Sequence, residues 1–249
     1  MSALMLGIPS KGRLQEQTRD YFAVRGLSIE IDGRGYRARI AAAPGVDVRL
    51  ISASEIARAL RAGEVHLGVT GADVLNEADP GLARTFPLTP LGFGRADLVL
   101  AAPACWLDVA TVADFAEVCA DQRARTGARA RVATKYPRLA RRFLEAQGVG
   151  DYRLVESLGA TEGAPAAGAA DAIIDITTTG ATLSANGLRI VEGGVILRSE
   201  ALLAASRAAD WDEGKHSALA ALLGALAEDN AASIDAFKRA LCATGADAV

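Results

Sequence analysis

The stretch "DAIIDITTTGATL", Asp171 to Leu183, runs from a short apolar segment into three consecutive threonines, a glycine and a fourth threonine. Its apolar part has the length and composition of a buried strand. A strand usually gives way to a turn built from Gly, Asn, Asp or Pro; here hydroxyls crowd the turn instead. Thr177, Thr178, Thr179, Gly180, Ala181 and Thr182 can be read in two ways. They cap a following helix, or they form a cradle in which hydroxyls and backbone N–H groups meet an anion. Asp175 beside them would repel a phosphate. It makes sense if it holds the sugar hydroxyls of the same ligand, or a hydrated Mg²⁺ between the two.

Working outward, Glu162 stands thirteen residues upstream of Asp175 among small neighbours, Gly159, Ala160, Gly163 and Ala164, that would let a ligand approach. Apolar runs at 3–8, 36–43, 47–52, 66–70, 96–102, 130–134, 152–157 and 171–176 read as strands. Helical spacing fills 14–26, 54–64, "VADFAEVCADQRA" and "PRLARRFLEAQG", with Ser54 as the cap of the second helix. Strands alternating with helices predict an α/β fold built on mostly parallel sheet. From Lys215 onward Leu219, Leu222, Leu223, Leu226, Ile234, Phe237 and Leu241 recur at helical spacing in an Ala-rich background. That tail packs on its own domain or docks another subunit.

Composition removes several function classes. With a net charge of −3, no bulk basic field advertises nucleic acid or an anionic membrane. Cys105, Cys119 and Cys242 are scattered, which argues against a zinc site or a disulfide framework and for a reducing cytoplasm. The opening "MSALMLGIPSKGRL" lacks a basic region before its apolar run and reads as a first strand rather than an export signal. No apolar run is long enough to predict a membrane span. A second small motif comes directly after that first strand: Lys11 and Arg13 straddle Gly12, a point charge and a planar fork around a residue that admits close backbone approach. It suits a polyphosphate, or it is a solvated basic turn.

The segment "EGAPAAGAADAIIDITTTGATL", Glu162 to Leu183, resembles the signature of the ATP phosphoribosyltransferase family. "IPSKGRL" (8–14), "HLGVTGADVL" (66–75), "RVATKYPRLARRF" (131–143) and "GGVILRSEALLAAS" (193–206) look like further elements of that family, the last as a returning strand and helix. The resemblance implies a two-lobed α/β fold like that of type II periplasmic binding proteins, with a cleft between the lobes and a C-terminal helical tail. It divides the chain into residues 1–100 with 185–214, residues 101–184 carrying the threonine loop, and a tail at 215–249.

The same resemblance implies condensation of ATP with 5-phosphoribosyl diphosphate (PRPP), the first step of histidine biosynthesis, with Mg²⁺. Glu162 and Asp175 would contact the ribose hydroxyls of PRPP, and Thr177 to Thr182 its 5-phosphate. Lys11 and Arg13 would act on the diphosphate, and Lys11, Gly12, Arg13 and Asp73 would face the nucleotide. Adenine N1 is itself a nucleophile, so His66 and His216 receive no catalytic role. Many members carry an Arg-Pro-x-Asp-Ile-Pro element where this chain has "SASEIA" (52–57); Arg49 is the residue expected to take over its phosphate contact. The residues after Ser206 read as helix, similar to the short form of the family that lacks the C-terminal regulatory domain. That form works with a histidyl-tRNA-synthetase-like regulatory subunit in a hetero-octamer. The competing expectation is a non-catalytic ligand-binding or scaffold module of the same fold.

Overall fold

The computed structural model describes residues 3–31, 36–157, 159–226, 232 and 235–240. The chain divides into two compact units, residues 1–94 with 200–249 and residues 95–199. Unit 1 is built on a mixed sheet. Its central strands β1 (Leu4–Pro9), β4 (Val46–Ile51) and β5 (Leu67–Gly71) are parallel, in the spatial order β4, β1, β5. Beyond β4 lie β3 (Arg37–Ile40) and β2 (Ile29–Ile31), both antiparallel. Beyond β5 lie β12 (Ala201–Ser206) and β6 (Thr85–Pro90), antiparallel as well.

Alternation along β4 shows how the sheet sorts its faces. Val46, Val48 and Leu50 are buried, and they join Leu4, Leu6 and Ile8 in one core. That core is covered by Phe22 of α1 (Gly12–Ala23) and by α7 (Glu213–Leu226). The opposite face takes α2 (Ala53–Ala62) and α3 (Ala72–Ala78), whose Ile56, Leu60 and Leu75 form a second cluster with Val65 and Leu202. The tail therefore begins inside unit 1 rather than as a separate element. Leu219, Leu222, Leu223 and Leu226 are all buried, at about 1.5–3 kcal/mol each. Phe237 closes over them against Phe86 and Trp211, with ring centroids 5.6 and 5.1 Å apart. Ile234, Leu241 and Cys242 lie outside the described residues.

Unit 2 has its own mixed sheet in the order β11 (Leu188–Ser199), β7 (Ala96–Pro103), β10 (Ala172–Thr177), β8 (Ala130–Thr134), β9 (Tyr152–Glu156). The last three are parallel, and β7 runs antiparallel to both β10 and β11. Helices α4 (Val112–Thr126) and α5 (Pro137–Ala146) cover one face through Phe115, Leu139 and Leu144. The other face carries a smaller cluster of Val99, Ala101, Ala133, Ile173 and Leu183, the last from α6 (Ala181–Ala185). At the start of β10, Asp171 takes a bidentate bond from Arg131 of β8, with contacts of 2.8 and 3.2 Å. The same guanidinium donates to the Gly168 carbonyl at 2.7 Å, which ties the loop before β10 to the sheet.

Four expectations are corrected. The chain passes between units at 94/95 and 199/200, not at 100/101 and 184/185, because β7 and β11 pair with each other and belong to the second sheet. Residues 201–206 are a strand, not a helix: all six are buried, which sheet neighbours on both sides impose on an Ala/Leu run that otherwise favours helix. Both sheets are mixed rather than mostly parallel, since the chain returns through β12 and β11 in the antiparallel sense. Ser52, not Ser54, caps α2. Its hydroxyl accepts from the Glu55 N–H at 3.3 Å while Glu55 accepts from the Ser52 N–H at 2.9 Å, a reciprocal capping box.

Helix α2 sits so close to β5 that only glycine fits beneath it. A Cβ on Gly68 would run into Ile56 and lie 3.1 Å from Leu60 Cδ1. Gly68→Ala is expected to destabilise the protein by about 1–3 kcal/mol through overpacking. Urea unfolding checks this; a midpoint equal to wild type would show that α2 is not seated this tightly.

Candidate active site

The threonine loop leaves the sheet at the end of its central strand. Hydrophobic burial holds Ala172, Ile173 and Ile174 in place, and the chain then reaches Asp175, which is only 9% exposed. Its carboxylate accepts from the Ile176 N–H at 2.9 Å, and Thr161, which donates its hydroxyl to Ser157 Oγ at 3.0 Å, lies near enough to favour the ionised form. Burial is the leading influence and pushes the Asp175 pKa above the usual carboxylate value. The Ile176 N–H, Thr161 and the charge of Lys135 act the other way, and nearby Glu162 adds to the rise.

After Thr177 the backbone turns sharply. Gly180, at the N-cap of α6, has φ +76°, a left-handed conformation that glycine adopts without steric penalty. The Thr177 hydroxyl accepts from the Gly180 N–H at 2.9 Å, and Thr179 from the Ala181 N–H at 3.4 Å. Those two N–H groups therefore face hydroxyls of their own loop rather than open space. Each hydroxyl keeps its own proton to donate, so the loop presents O–H donors backed by backbone N–H groups.

Glu162 is carried on a short 3₁₀ turn, Thr161–Gly163. With Asp175, Thr177, Thr178, Thr179, Thr182, Ile176, Ala96 and Leu183 it lines a cavity of about 270 Å³. Gly180 and Ala181 shape the loop without lining the cavity. Thr161 is the residue sequence reasoning missed. It is fully buried, its Oγ1 lies 3.0 Å from Ser157 Oγ, and it steadies the Asp175 carboxylate from below. Only its place next to Glu162 hinted at this.

The remaining expected residues fall in unit 1. Lys11 is the exposed N-cap of α1, and Gly12, with φ +74°, makes the turn that starts the helix; Arg13 comes next, also exposed. Asp73 sits in the first turn of α3 and is buried, with Gly71 rather than Asp73 at the N-cap. Lys11 to Arg13 and Asp73 thus lie just past the C-terminal ends of the adjacent parallel strands β1 and β5, where ligands of open α/β sheets bind. Arg49 is different. It lies within β4, half-buried, in register with Gly7 on one side and Arg37 on the other. The place of the missing Arg-Pro-x-Asp-Ile-Pro element is occupied by the Ser52–Glu55 capping box, and the charge of Lys11 is felt at Glu55.

Both histidines pack against Trp211. His66 Nδ1 accepts from the Met5 N–H at 3.0 Å, so Nε2 carries the proton toward the Asp210 carbonyl at 3.1 Å, and burial lowers its pKa. His216 stacks on Trp211 at 5.2 Å.

A family profile described as ATP phosphoribosyltransferase matches residues 52–228, a span that contains the whole threonine loop. The chain belongs to the ATP phosphoribosyltransferase family. A family member from Caulobacter vibrioides is 54% identical over 223 residues, 88% of this chain and 70% of the relative. One from Nitrobacter winogradskyi is 51% identical over 229 residues, 91% of this chain and again 70% of the relative. Among solved structures, the ATP phosphoribosyl transferase (HisG:HisZ) complex from Thermotoga maritima superposes with a TM-score of 0.67 at 26% identity, over 93% of this chain and 98% of that one. The periplasmic aliphatic sulphonate binding protein SsuA from Escherichia coli superposes with a TM-score of 0.53 at 15% identity, over 96% and 76%. The second likeness shows the fold alone: the type II binding-protein architecture.

A buried carboxyl whose pKa is raised binds its proton more tightly in the folded chain than in the unfolded one. Asp175 therefore favours folding below roughly pH 4 and increasingly opposes it as pH rises through its folded value. Asp175→Asn removes that titration. The variant is expected to match or exceed the wild-type urea midpoint at pH 7.5, with the difference shrinking toward pH 4. A midpoint well below wild type at pH 7.5 would mean that the charged carboxylate supports the fold.

Proposed function

We propose that this chain transfers the phosphoribosyl group of PRPP to N1 of ATP, releasing diphosphate, as the first step of histidine biosynthesis in the cytoplasm. The observation that carries the reading is the cavity at the end of β10, where two carboxylates and a hydroxyl loop line the same small space in a member of this family. Glu162 and Asp175 hold the ribose hydroxyls, and Thr177 to Thr182 hold the 5-phosphate. Lys11 and Arg13 hold polyphosphate, with Gly12 admitting its approach, and Asp73 faces the nucleotide. Arg49 contributes charge from its place in β4.

The reaction needs little covalent equipment. Adenine N1 supplies the electron pair, the bond from the anomeric carbon to diphosphate breaks, and the ribose passes through an oxocarbenium-like state. Positioning and charge neutralisation supply the acceleration. Among the described residues no group of three or more His, Cys, Asp or Glu side chains could hold a metal ion. Glu162 and Asp175 offer hard oxygen ligands, which fits Mg²⁺ carried mainly by substrate oxygens and water. Bound there, the ion offsets the charge of the departing diphosphate.

The Thermotoga complex pairs its transferase with a second protein. We extend that to this chain as a histidyl-tRNA-synthetase-like regulatory subunit in a hetero-octamer. The purified chain, ATP, PRPP and Mg²⁺, with and without such a subunit, are expected to give phosphoribosyl-ATP, monitored by its ultraviolet absorbance, with the subunit raising the rate. No product and no diphosphate in either mixture would refute the transferase reading.

A further inference from the structure

Among the described residues, the cavity at the end of β10 is lined by two carboxylates, hydroxyls and apolar groups, and by no cation. PRPP carries negative charge at both ends, so a site of this composition needs a positive group close by to offset like-charge repulsion. The neighbouring strand supplies one. Strand β8 runs parallel to β10 with Thr134 opposite Ile174 as the last recorded pair, and Lys135 and Asp175 are the residues that follow on the two chains. The faces agree as well. Ala133 and Ile173 share the cluster that includes Leu183 of the threonine loop, whereas Val132 and Ile174 belong to the core on the other side. Alternation then puts Asp175 on the loop's side of the sheet, and Lys135 stands directly after β8 in the bend that leads into α5.

The turn that holds Lys135 is rigid. Thr134 and Tyr136 on either side are buried, the Tyr136 N–H donates to Thr134 Oγ1 at 2.9 Å, and Pro137 opens α5. Lys135 itself is exposed, and its charge acts on Asp175. Arg131, the cation within β8, is committed to Asp171 and Gly168. Among the described residues Lys135 forms no ion pair.

We propose that Lys135 contacts substrate in this site, its ammonium binding a phosphoryl oxygen of PRPP beside Glu162 and Asp175. The inference rests on the reading that PRPP binds at the threonine loop. A lysine suits the role as a mobile point charge that tracks a phosphate as it moves.

Calorimetric titration of the full chain with PRPP and with ribose 5-phosphate, in the presence of Mg²⁺, tests it. Lys135→Met is expected to weaken PRPP binding about ten- to hundredfold, the worth of one charge-assisted hydrogen bond, with an unchanged urea midpoint. Lys135→Arg should recover much of the loss. A parallel loss for ribose 5-phosphate puts the contact on the 5-phosphate; a loss for PRPP alone puts it on the diphosphate. Either result supports the assignment. Wild type that binds PRPP while Lys135→Met binds it within twofold overturns the role of Lys135 alone. Wild type that binds neither ligand overturns the PRPP reading and this inference with it. If Lys135→Met fails to fold, Lys135→Gln takes its place under the same criteria.

Discussion

Unit 2 is organised around one costly feature, a carboxylate held out of water at the end of its central strand. Asp175 can occupy that position because neighbours compensate it: the Ile176 N–H, the Thr161 hydroxyl and the charge of Lys135 all favour the ionised form. Those groups come from β10 itself, from the 3₁₀ turn and from the end of β8. Each must be brought to the same few ångströms, and the sheet register does that. The bidentate Arg131–Asp171 pair locks β8 to β10 at the far end and anchors the Gly168 carbonyl, so the segment leading from Glu162 into β10 has little freedom. A ligand that offers hydroxyls to Asp175 takes over part of the solvation that burial removed.

Unit 1 gathers charged residues at the ends of its central parallel strands without a bulk basic field. Lys11, Gly12 and Arg13 come after β1, and Asp73 after β5, the strand next to it. Arg49 lies inside β4, where the pleat sets its direction, between Gly7 and Arg37 in the sheet register. The capping box at Ser52 and Glu55 secures the start of α2.

Most of the α/β alternation was legible because strand and helix periods differ and because Gly and Pro punctuate them. The threonine loop was legible for the opposite reason: its chemistry is wrong for an ordinary turn. Residues 201–206 were not, since an Ala/Leu run carries no period, and only its burial between β5 and β6 makes it a strand. The strand 29–31 offered too few residues to show alternation, and 85–90 carries Pro87 and Pro90, which argue against a strand in the sequence. Ser52 was legible and passed over, as Ser52 and Glu55 have the spacing of a capping box. Thr161 was hinted at only by its place next to Glu162, since its value depends on the 3₁₀ turn lying near Asp175, a proximity made across distance in the chain. The tail's apolar spacing was plain, but whether it faced inward was decided by unit 1 leaving a groove for it.

The chain leaves unit 1 after Gly94 and returns only at Glu200. This has a consequence for the order of assembly during synthesis. Residues 95–199 form an uninterrupted module that can close as soon as it emerges from the ribosome. Unit 1 begins earlier yet must wait, because β12 is the strand that covers the edge of β5 and it arrives last. Until residue 206 is out, β5 offers an unpaired row of backbone donors and acceptors to any neighbouring chain. Translation speed through the middle of the message thus sets how long that edge stays bare.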